Sequence, residues 1–205
     1  MKRFVDIVIA SLAILFLSPV FLFVAYKVRK HLGSPIFFCQ ERPGKDGKIF
    51  KMIKFRSMKN ALDPQGNLLP DEQRITPFGQ KLRATTLDEM PQLFNVLKGD
   101  MSIVGPRPQM PEFLEYYTTD QMRRHEVKPG MTGLAQVSGR NNLSWEEKFN
   151  LDVQYVENHN ILLDFKIMLK TVDVMLKREG INAPNQTVGS SRFTGSESQS
   201  SSIVK

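Results

Sequence analysis

Twenty residues from Ile7 to Tyr26 are almost all apolar, with Lys2 and Arg3 before them and Lys27, Arg29 and Lys30 after, and no other feature narrows the possible fold so much. A helix of about twenty residues at ~1.5 Å each covers the ~30 Å hydrocarbon core of a bilayer. Two details argue against a simple span. Ser18-Pro19 falls in the middle, where proline removes an i→i−4 hydrogen bond and clashes with the Leu15 carbonyl, which predicts a kink. Basic residues flank both ends, although spanning helices concentrate Lys and Arg on the cytoplasmic side. A re-entrant hairpin, broken at Ser18 and Pro19 with the Ser18 hydroxyl serving the freed backbone, fits these residues as well as a straight span does. A secretory signal fits less well, because the run is long for an h-region and no A-x-A-like cleavage site follows it.

The other residues of this 205-residue chain suffice for one further domain with its own core, since 41% of the whole is hydrophobic. A formal net charge of +7 suits nucleic acid, an anionic membrane face or a phosphate-rich substrate. Nucleic acid is disfavoured: there is no helix-turn-helix signature, RNP motif or basic stripe interleaved with aromatics. The single cysteine, Cys39, excludes an intrachain disulfide and any Cys-based zinc set, and in Pro35-Ile36-Phe37-Phe38-Cys39 it reads as a small buried hydrophobe. His31, His125 and His159 share no metal-ligand spacing.

Leu87-Asp88-Glu89-Met90-Pro91-Gln92 places two adjacent carboxylates at the expected start of a helix. Thr86 and Glu89 also satisfy the S/T-x-x-E capping box of ordinary helices. Either Thr86 or Asp88 can serve as N-cap, and the second register puts Pro91 in the first turn, where its missing N–H breaks nothing. In both, Asp88 lies beside the positive end of a helix dipole, where a phosphate is also favoured.

Alternation predicts short strands over Pro35 to Arg42 and Ile49 to Met58, joined by a turn at Arg42-Pro43-Gly44-Lys45-Asp46-Gly47. Lys59 to Arg74 is polar and reads as a surface excursion. Lys98-Gly99-Asp100 ends the dyad helix, and Gly105-Pro106-Arg107-Pro108 is a stiff loop that limits where Arg107 can point. Ser144-Trp145-Glu146-Glu147 is a second capping box, opening a helix that carries Asp152 and Tyr155. Ile161 to Arg178 is a third helix, whose lysines among broad apolar coverage suit a membrane interface as well as a core. From residue 181 to 205, Ser, Thr, Gly and Gln dominate and predict a disordered tail dispensable for catalysis.

Six motifs in order, the Ser18-Pro19 hairpin, Gln40-Glu41-Arg42-Pro43-Gly44, Lys54-Phe55-Arg56-Ser57-Met58, the dyad, Gly105-Pro106-Arg107-Pro108 and Lys128-Pro129-Gly130-Met131-Thr132-Gly133, resemble the bacterial sugar transferases that act on polyprenol phosphates. The size is similar to the small monotopic, PglC-like members. The resemblance implies an α+β, mostly helical fold: a re-entrant membrane helix-break-helix over 1–30, then a compact cytoplasmic catalytic domain over 31–180 with a small β-hairpin and interfacial amphipathic helices. It favours the hairpin over the span, and an active site facing the cytoplasm at the bacterial inner membrane.

The same resemblance implies transfer of a sugar 1-phosphate from a UDP-sugar to undecaprenyl phosphate, releasing UMP, by a ping-pong route with Asp88 as nucleophile. An N-acetylated sugar is the expected donor and a UDP-hexose the alternative. A carboxylate attacking a diphosphate needs added positive charge, and Mg²⁺ held by Glu89 with Asp88 is implied to supply it. Lys54, Arg56, Arg83 and Arg140 are candidate substrate-binding groups, Pro106, Arg107 and Pro108 form the nucleotide loop, and Asp152 and Tyr155 are supporting candidates. Bacterial inner-membrane lipids are the remaining expected partner, and the oligomeric state is left open. Two other classes compete: a non-enzymatic membrane adaptor, which would tolerate Asp88→Asn, and a lipid-phosphate phosphatase, which would release inorganic phosphate.

Overall fold

A computed structural model describes residues 1–139, 142–177, 193 and 195. The apolar segment forms α1, Lys2–Leu32, a helix of 31 residues and so about 46 Å long at ~1.5 Å per residue. Arg29, Lys30 and His31 in its last turn complement the dipole, and Gly33 (φ 79°) ends it by donating its N–H to the Arg29 carbonyl. The expected break at Pro19 does not interrupt the helix. The reason is local: Pro19 leaves the Leu15 carbonyl without an N–H, and the Ser18 hydroxyl donates to it at 2.8 Å. Among the described residues this is the one helix long and apolar enough to cross a membrane.

Both ends of α1 are fastened to the rest of the protein. At the start, Lys2 Nζ donates to the Val104 carbonyl at 3.0 Å and pairs with Asp164, while Arg3 donates to the Val96 and Leu97 carbonyls. Buried Asp6 accepts from the Ser102 hydroxyl and the Ile103 N–H. Ala10 packs with Met52, Leu93, Val96 and Met101, and further along Val24 and Val28 pack with Phe55, Leu82 and Met90. Phe4, Leu15, Phe16, Leu22 and Phe23, by contrast, are exposed.

The predicted hairpin is present, with β1, Phe37–Pro43, antiparallel to β2, Ile49–Phe55, from the Phe37–Phe55 pair to the Pro43–Ile49 pair. The polar excursion follows, turned by Asp63, whose carboxylate accepts from the Gln65 and Asn67 N–H groups. It closes in the short α2, Asp71–Arg74. Next is α3, Pro77–Ala84, capped by the Thr76 hydroxyl accepting from the Gly79 N–H. Gly79 is required here, since a Cβ would stand 1.8 Å from the Ser57 carbonyl oxygen.

After the dyad, α4, Gln92–Lys98, ends at Gly99 (φ 102°) as expected. Its Asn95 is buried and replaces a missing strand partner for β2: Nδ2 donates to the Lys51 carbonyl at 2.8 Å and Oδ1 accepts from the Ile53 N–H at 2.9 Å. The short β3, Ser102–Val104, pairs in parallel with β4, Gly130–Thr132. Between them lie the Arg107 loop and α5, Thr119–Met122, capped by a Thr118–Gln121 capping box. Beyond β4, α6, Leu134–Ser138, leads to α7, Trp145–Asn158, opened by the expected Ser144–Glu147 box, and to α8, Ile161–Lys177. One side of α8 buries Ile167 and Val174, while Leu162, Phe165, Leu169, Val172 and Met175 are exposed along the other. The architecture is thus α+β and mostly helical. Within the tail expected to be disordered, Phe193 is 4% exposed, and the other tail residues except Gly195 lie outside the described part.

Candidate active site

Asp88 and Glu89 sit in a 3-10 turn, Leu87–Glu89, entered through Thr86 in the left-handed region (φ 56°) and left through Pro91, which immediately precedes α4. Neither Thr86 nor Asp88 caps a helix with its side chain, so the capping-box reading of this stretch does not hold. The Glu89 carboxylate is used elsewhere. Its Oε1 accepts from Lys54 Nζ at 2.8 Å and from Arg107 Nη2 at 2.7 Å, and its Oε2 from Arg107 Nη1 at 3.3 Å. Asp88 is more deeply buried, at 7% exposure, yet its carboxylate receives no hydrogen bond among the described residues.

Opposite electrostatics follow for two adjacent carboxyls. Burial, reinforced by the neighbouring Glu89 charge, raises Asp88 to about 6. Burial also opposes ionisation of Glu89, but Arg107 and Lys54 outweigh it and hold Glu89 well below the ordinary carboxylate range. Burial lowers Lys54, with Glu89 acting against it. Arg83 reaches the site from α3, its Nε donating to the Ser57 hydroxyl at 2.9 Å and its charge favouring the ionised form of Asp88.

Among the expected site residues the structure therefore brings Lys54, Arg83 and Arg107 together around the dyad. Pro106 and Pro108 flank Arg107, and the loop is tied at its start, where the Gly105 N–H donates to the Thr132 carbonyl at 2.9 Å and the Gly130 N–H to the Pro106 carbonyl at 3.0 Å. Three other candidates lie elsewhere. Arg56 is buried and donates to the Leu32 and Ser34 carbonyls, closing the end of α1 and making no hydrogen bond to the dyad. The Tyr155 hydroxyl donates to Asp164 at 2.7 Å, with the Val104 carbonyl a second, longer acceptor for the same proton at 3.1 Å, in the network that also holds Lys2. Asp152 pairs with Arg124 at 2.6 Å inside the domain. Arg140 lies outside the described residues.

Two cations were not singled out from the sequence. Arg42 on β1 donates to the Gln40 side chain at 2.8 Å, and burial together with the nearby Arg107 lowers it to about 10. Arg124 is 2% exposed and donates to the Arg107 carbonyl at 2.7 Å, to the Tyr117 hydroxyl at 2.7 Å and to Asp152. Next to it, buried His125 is lowered to about 4 by burial and the Arg124 charge; its neutral ring meets the Gly44 carbonyl through Nδ1 at 3.1 Å. The Gln40-Glu41-Arg42-Pro43-Gly44 motif carried the signal for Arg42; Arg124 had none.

Three carboxylates, Asp88, Glu89 and, beside Arg42, Glu112, therefore face four cations, Lys54, Arg83, Arg107 and Arg42. The surplus positive charge fits a diphosphate, and the bare Asp88 oxygens fit attack on phosphorus. No group of three or more His, Cys, Asp or Glu able to hold a metal occurs among the described residues. Mg²⁺ is commonly bound through one or two carboxylates plus substrate phosphates; of the dyad, the Asp88 carboxylate, free of hydrogen bonds among the described residues, is open to receive it, whereas both Glu89 oxygens accept from Lys54 or Arg107 and would have to release a cation to join it.

Comparison with known proteins agrees with this geometry. The family model described as bacterial sugar transferase matches residues 1–178. The uncharacterized sugar transferase EpsL of Bacillus subtilis (strain 168) is 51% identical over 201 residues, covering 98% of this chain and 99% of that one. An undecaprenyl-phosphate galactose phosphotransferase of Salmonella typhimurium is 42% identical over 197 residues, 88% of this chain and 41% of its own length. A UDP-glucose:undecaprenyl-phosphate glucose-1-phosphate transferase of Klebsiella pneumoniae is 40% identical over 182 residues, 83% and 39% of the two chains. This chain thus spans about two-fifths of the longer relatives and the full length of EpsL. The family match across α1, the dyad and the Arg107 loop settles the assignment: the chain belongs to the bacterial sugar transferase family.

Proposed function

We propose that this protein transfers a hexose 1-phosphate, galactose or glucose, from its UDP-sugar to undecaprenyl phosphate, releasing UMP and forming undecaprenyl-diphosphate-hexose. The observation that carries the reading is the Asp88 carboxylate, buried and without a hydrogen bond, beside a Glu89 held by Lys54 and Arg107. A hexose is preferred to an N-acetylated sugar because the relatives with named donors are galactose and glucose transferases.

In the first half-reaction an Asp88 oxygen attacks the sugar-bearing phosphorus, and the bond from that phosphorus to the bridging oxygen breaks as UMP leaves. In the second, an oxygen of undecaprenyl phosphate attacks the same phosphorus and the bond to Asp88 breaks, restoring the carboxylate. Lys54, Arg83, Arg107 and Arg42 offset the charge that accumulates on the phosphoryl oxygens. Mg²⁺, held by Asp88 and Glu89, would neutralise diphosphate oxygens when bound.

The protein is proposed to sit in the cytoplasmic leaflet of a bacterial inner membrane without crossing it. One domain grips both Lys2 and Arg3 at the start of α1 and the Leu32 carbonyl at its end. A perpendicular span would separate those ends by the bilayer. The exposed apolar faces of α1 and α8 supply the surface to embed. The deciding experiment measures UMP release from UDP-galactose, UDP-glucose and UDP-N-acetylglucosamine, with undecaprenyl phosphate and Mg²⁺ in nanodiscs, for wild type and Asp88→Asn. UMP from a hexose donor with wild type alone is expected. An active Asp88→Asn removes the nucleophile, inorganic phosphate as product points to a phosphatase, and no product with any donor leaves the adaptor reading.

A further inference from the structure

Phe193 lies sixteen positions beyond the end of α8, in a stretch otherwise rich in Ser, Gly and Thr. Its ring is nevertheless 4% exposed and surrounded by five aromatic side chains. Centroids of Phe149, Phe113, Tyr117, Trp145 and Tyr116 lie 5.0, 5.4, 5.9, 5.9 and 6.4 Å away. The surrounding rings come from the segment after the Arg107 loop and from the first turns of α7. Aromatic pairs at these separations are mutually attractive beyond the area they bury.

What this socket touches gives it consequence. The Arg124 guanidinium lies 5.4 Å from the Tyr117 ring centroid and 5.3 Å from that of Phe149, the two rings on which Phe193 also packs. Arg124 in turn donates to the Tyr117 hydroxyl, to Asp152 and to the Arg107 carbonyl. We propose that Phe193 is a positioning residue: its ring plugs this aromatic socket, and the plug fixes Arg124 and through it the Arg107 loop that binds the donor. Phe193 is thereby part of the donor site's support, and is not dispensable. The consequence for donor binding rests on the function proposed above, whereas the docking does not.

The chain's single tryptophan, Trp145, lies in the socket wall and reports on docking directly. In the full-length protein in detergent, Phe193→Ala should shift Trp145 emission to the red, and Phe193→Tyr should restore it. Hydrogen–deuterium exchange in Phe193→Ala should rise across residues 104–110 and stay unchanged across 92–98. Donor KM should rise about threefold to tenfold with kcat within about twofold of wild type, and Phe193→Tyr should recover it. Unchanged Trp145 emission in Phe193→Ala overturns the docking. A shifted emission with unchanged exchange at 104–110, or with unchanged donor KM in an active enzyme, overturns the positioning role. Should wild type release no UMP from any donor, the proposed function fails, and emission and exchange still decide this inference.

Discussion

Asp88 and Glu89 are neighbours in one 3-10 turn, yet Glu89 is clasped by Lys54 and Arg107 while Asp88 accepts no hydrogen bond among the described residues. In the reaction proposed above, the pair would divide two requirements between adjacent positions: Glu89 would anchor the cations that a diphosphate needs, and Asp88, free of protein hydrogen bonds, would supply the attacking oxygen.

A first prediction concerns pH. Burial and the Glu89 charge raise Asp88 to about 6, and only its ionised form is a nucleophile. Donor kcat/KM should therefore climb as pH increases through about 6 and level off above 7. Initial rates of UMP release between pH 5 and 8 check this, and a flat profile over that range counts against Asp88 as the titrating nucleophile.

Stability should respond in the opposite direction. A carboxyl raised from 3.8 to about 6 on folding binds its proton more tightly in the native state, so its contribution weakens as pH rises from about 4 to about 6. Ionised Asp88 thus costs the fold up to about 3 kcal/mol at pH 7. Asp88→Asn should lose all turnover while raising the apparent melting temperature at pH 7, and that gain should disappear near pH 4. A lower melting temperature at pH 7 would show that the carboxylate supports the fold instead.

Glu89→Gln should be harmful in both respects. It leaves Lys54 and Arg107 facing each other without their shared anion, and removing one partner of a buried pair costs about 3 kcal/mol. Adding Lys54→Met to Glu89→Gln should recover part of the lost stability without recovering activity. A double-mutant cycle by denaturant titration measures this, and strictly additive losses would deny the coupling.

How much of this was legible in the sequence depended on whether the deciding contacts were local. The hairpin turn, the Gly99 end of α4 and the Ser144–Glu147 capping box were readable, because neighbours a few positions apart determine each. Lys54 and Arg56 were not separable: they stand two apart near the end of β2, and only the tertiary arrangement sends one to Glu89 and the other to the end of α1. Arg123 and Arg124 make the same point, since the first pairs with Asp120, Glu126 and Glu157 at the surface and the second is 2% exposed. Phe193 is the extreme case, a lone aromatic whose partners come from distant parts of the chain.

The Arg56 placement yields its own prediction. Because Arg56 satisfies carbonyls at and just beyond the end of α1 and has no contact with the dyad, Arg56→Ala should lower stability by about 2 kcal/mol and leave donor KM unchanged. Denaturation and donor saturation curves for this variant separate the two roles, and a raised KM at unchanged stability would return Arg56 to the substrate site.

The remaining prediction concerns α1 and the bilayer. Its apolar middle is long enough to span, so length does not decide its orientation. The attachments at its two ends favour the non-crossing arrangement proposed above: Lys2, Arg3 and Asp6 bond one part of the domain, and the Leu32 carbonyl bonds Arg56 of the same domain. Crossing the membrane would break one of these sets and strand its charges in or beyond the lipid. In a Cys39→Ser background, needed because Cys39, expected from its apolar neighbours to be buried, is instead exposed on β1, cysteines placed before Met1 and at Lys30 should both react with an impermeant maleimide in inverted vesicles and neither in spheroplasts. Pro19→Ala should not change that pattern, since the end attachments and not the proline hold α1 in place, whereas labelling of the amino terminus from the periplasmic side in wild type would establish a span.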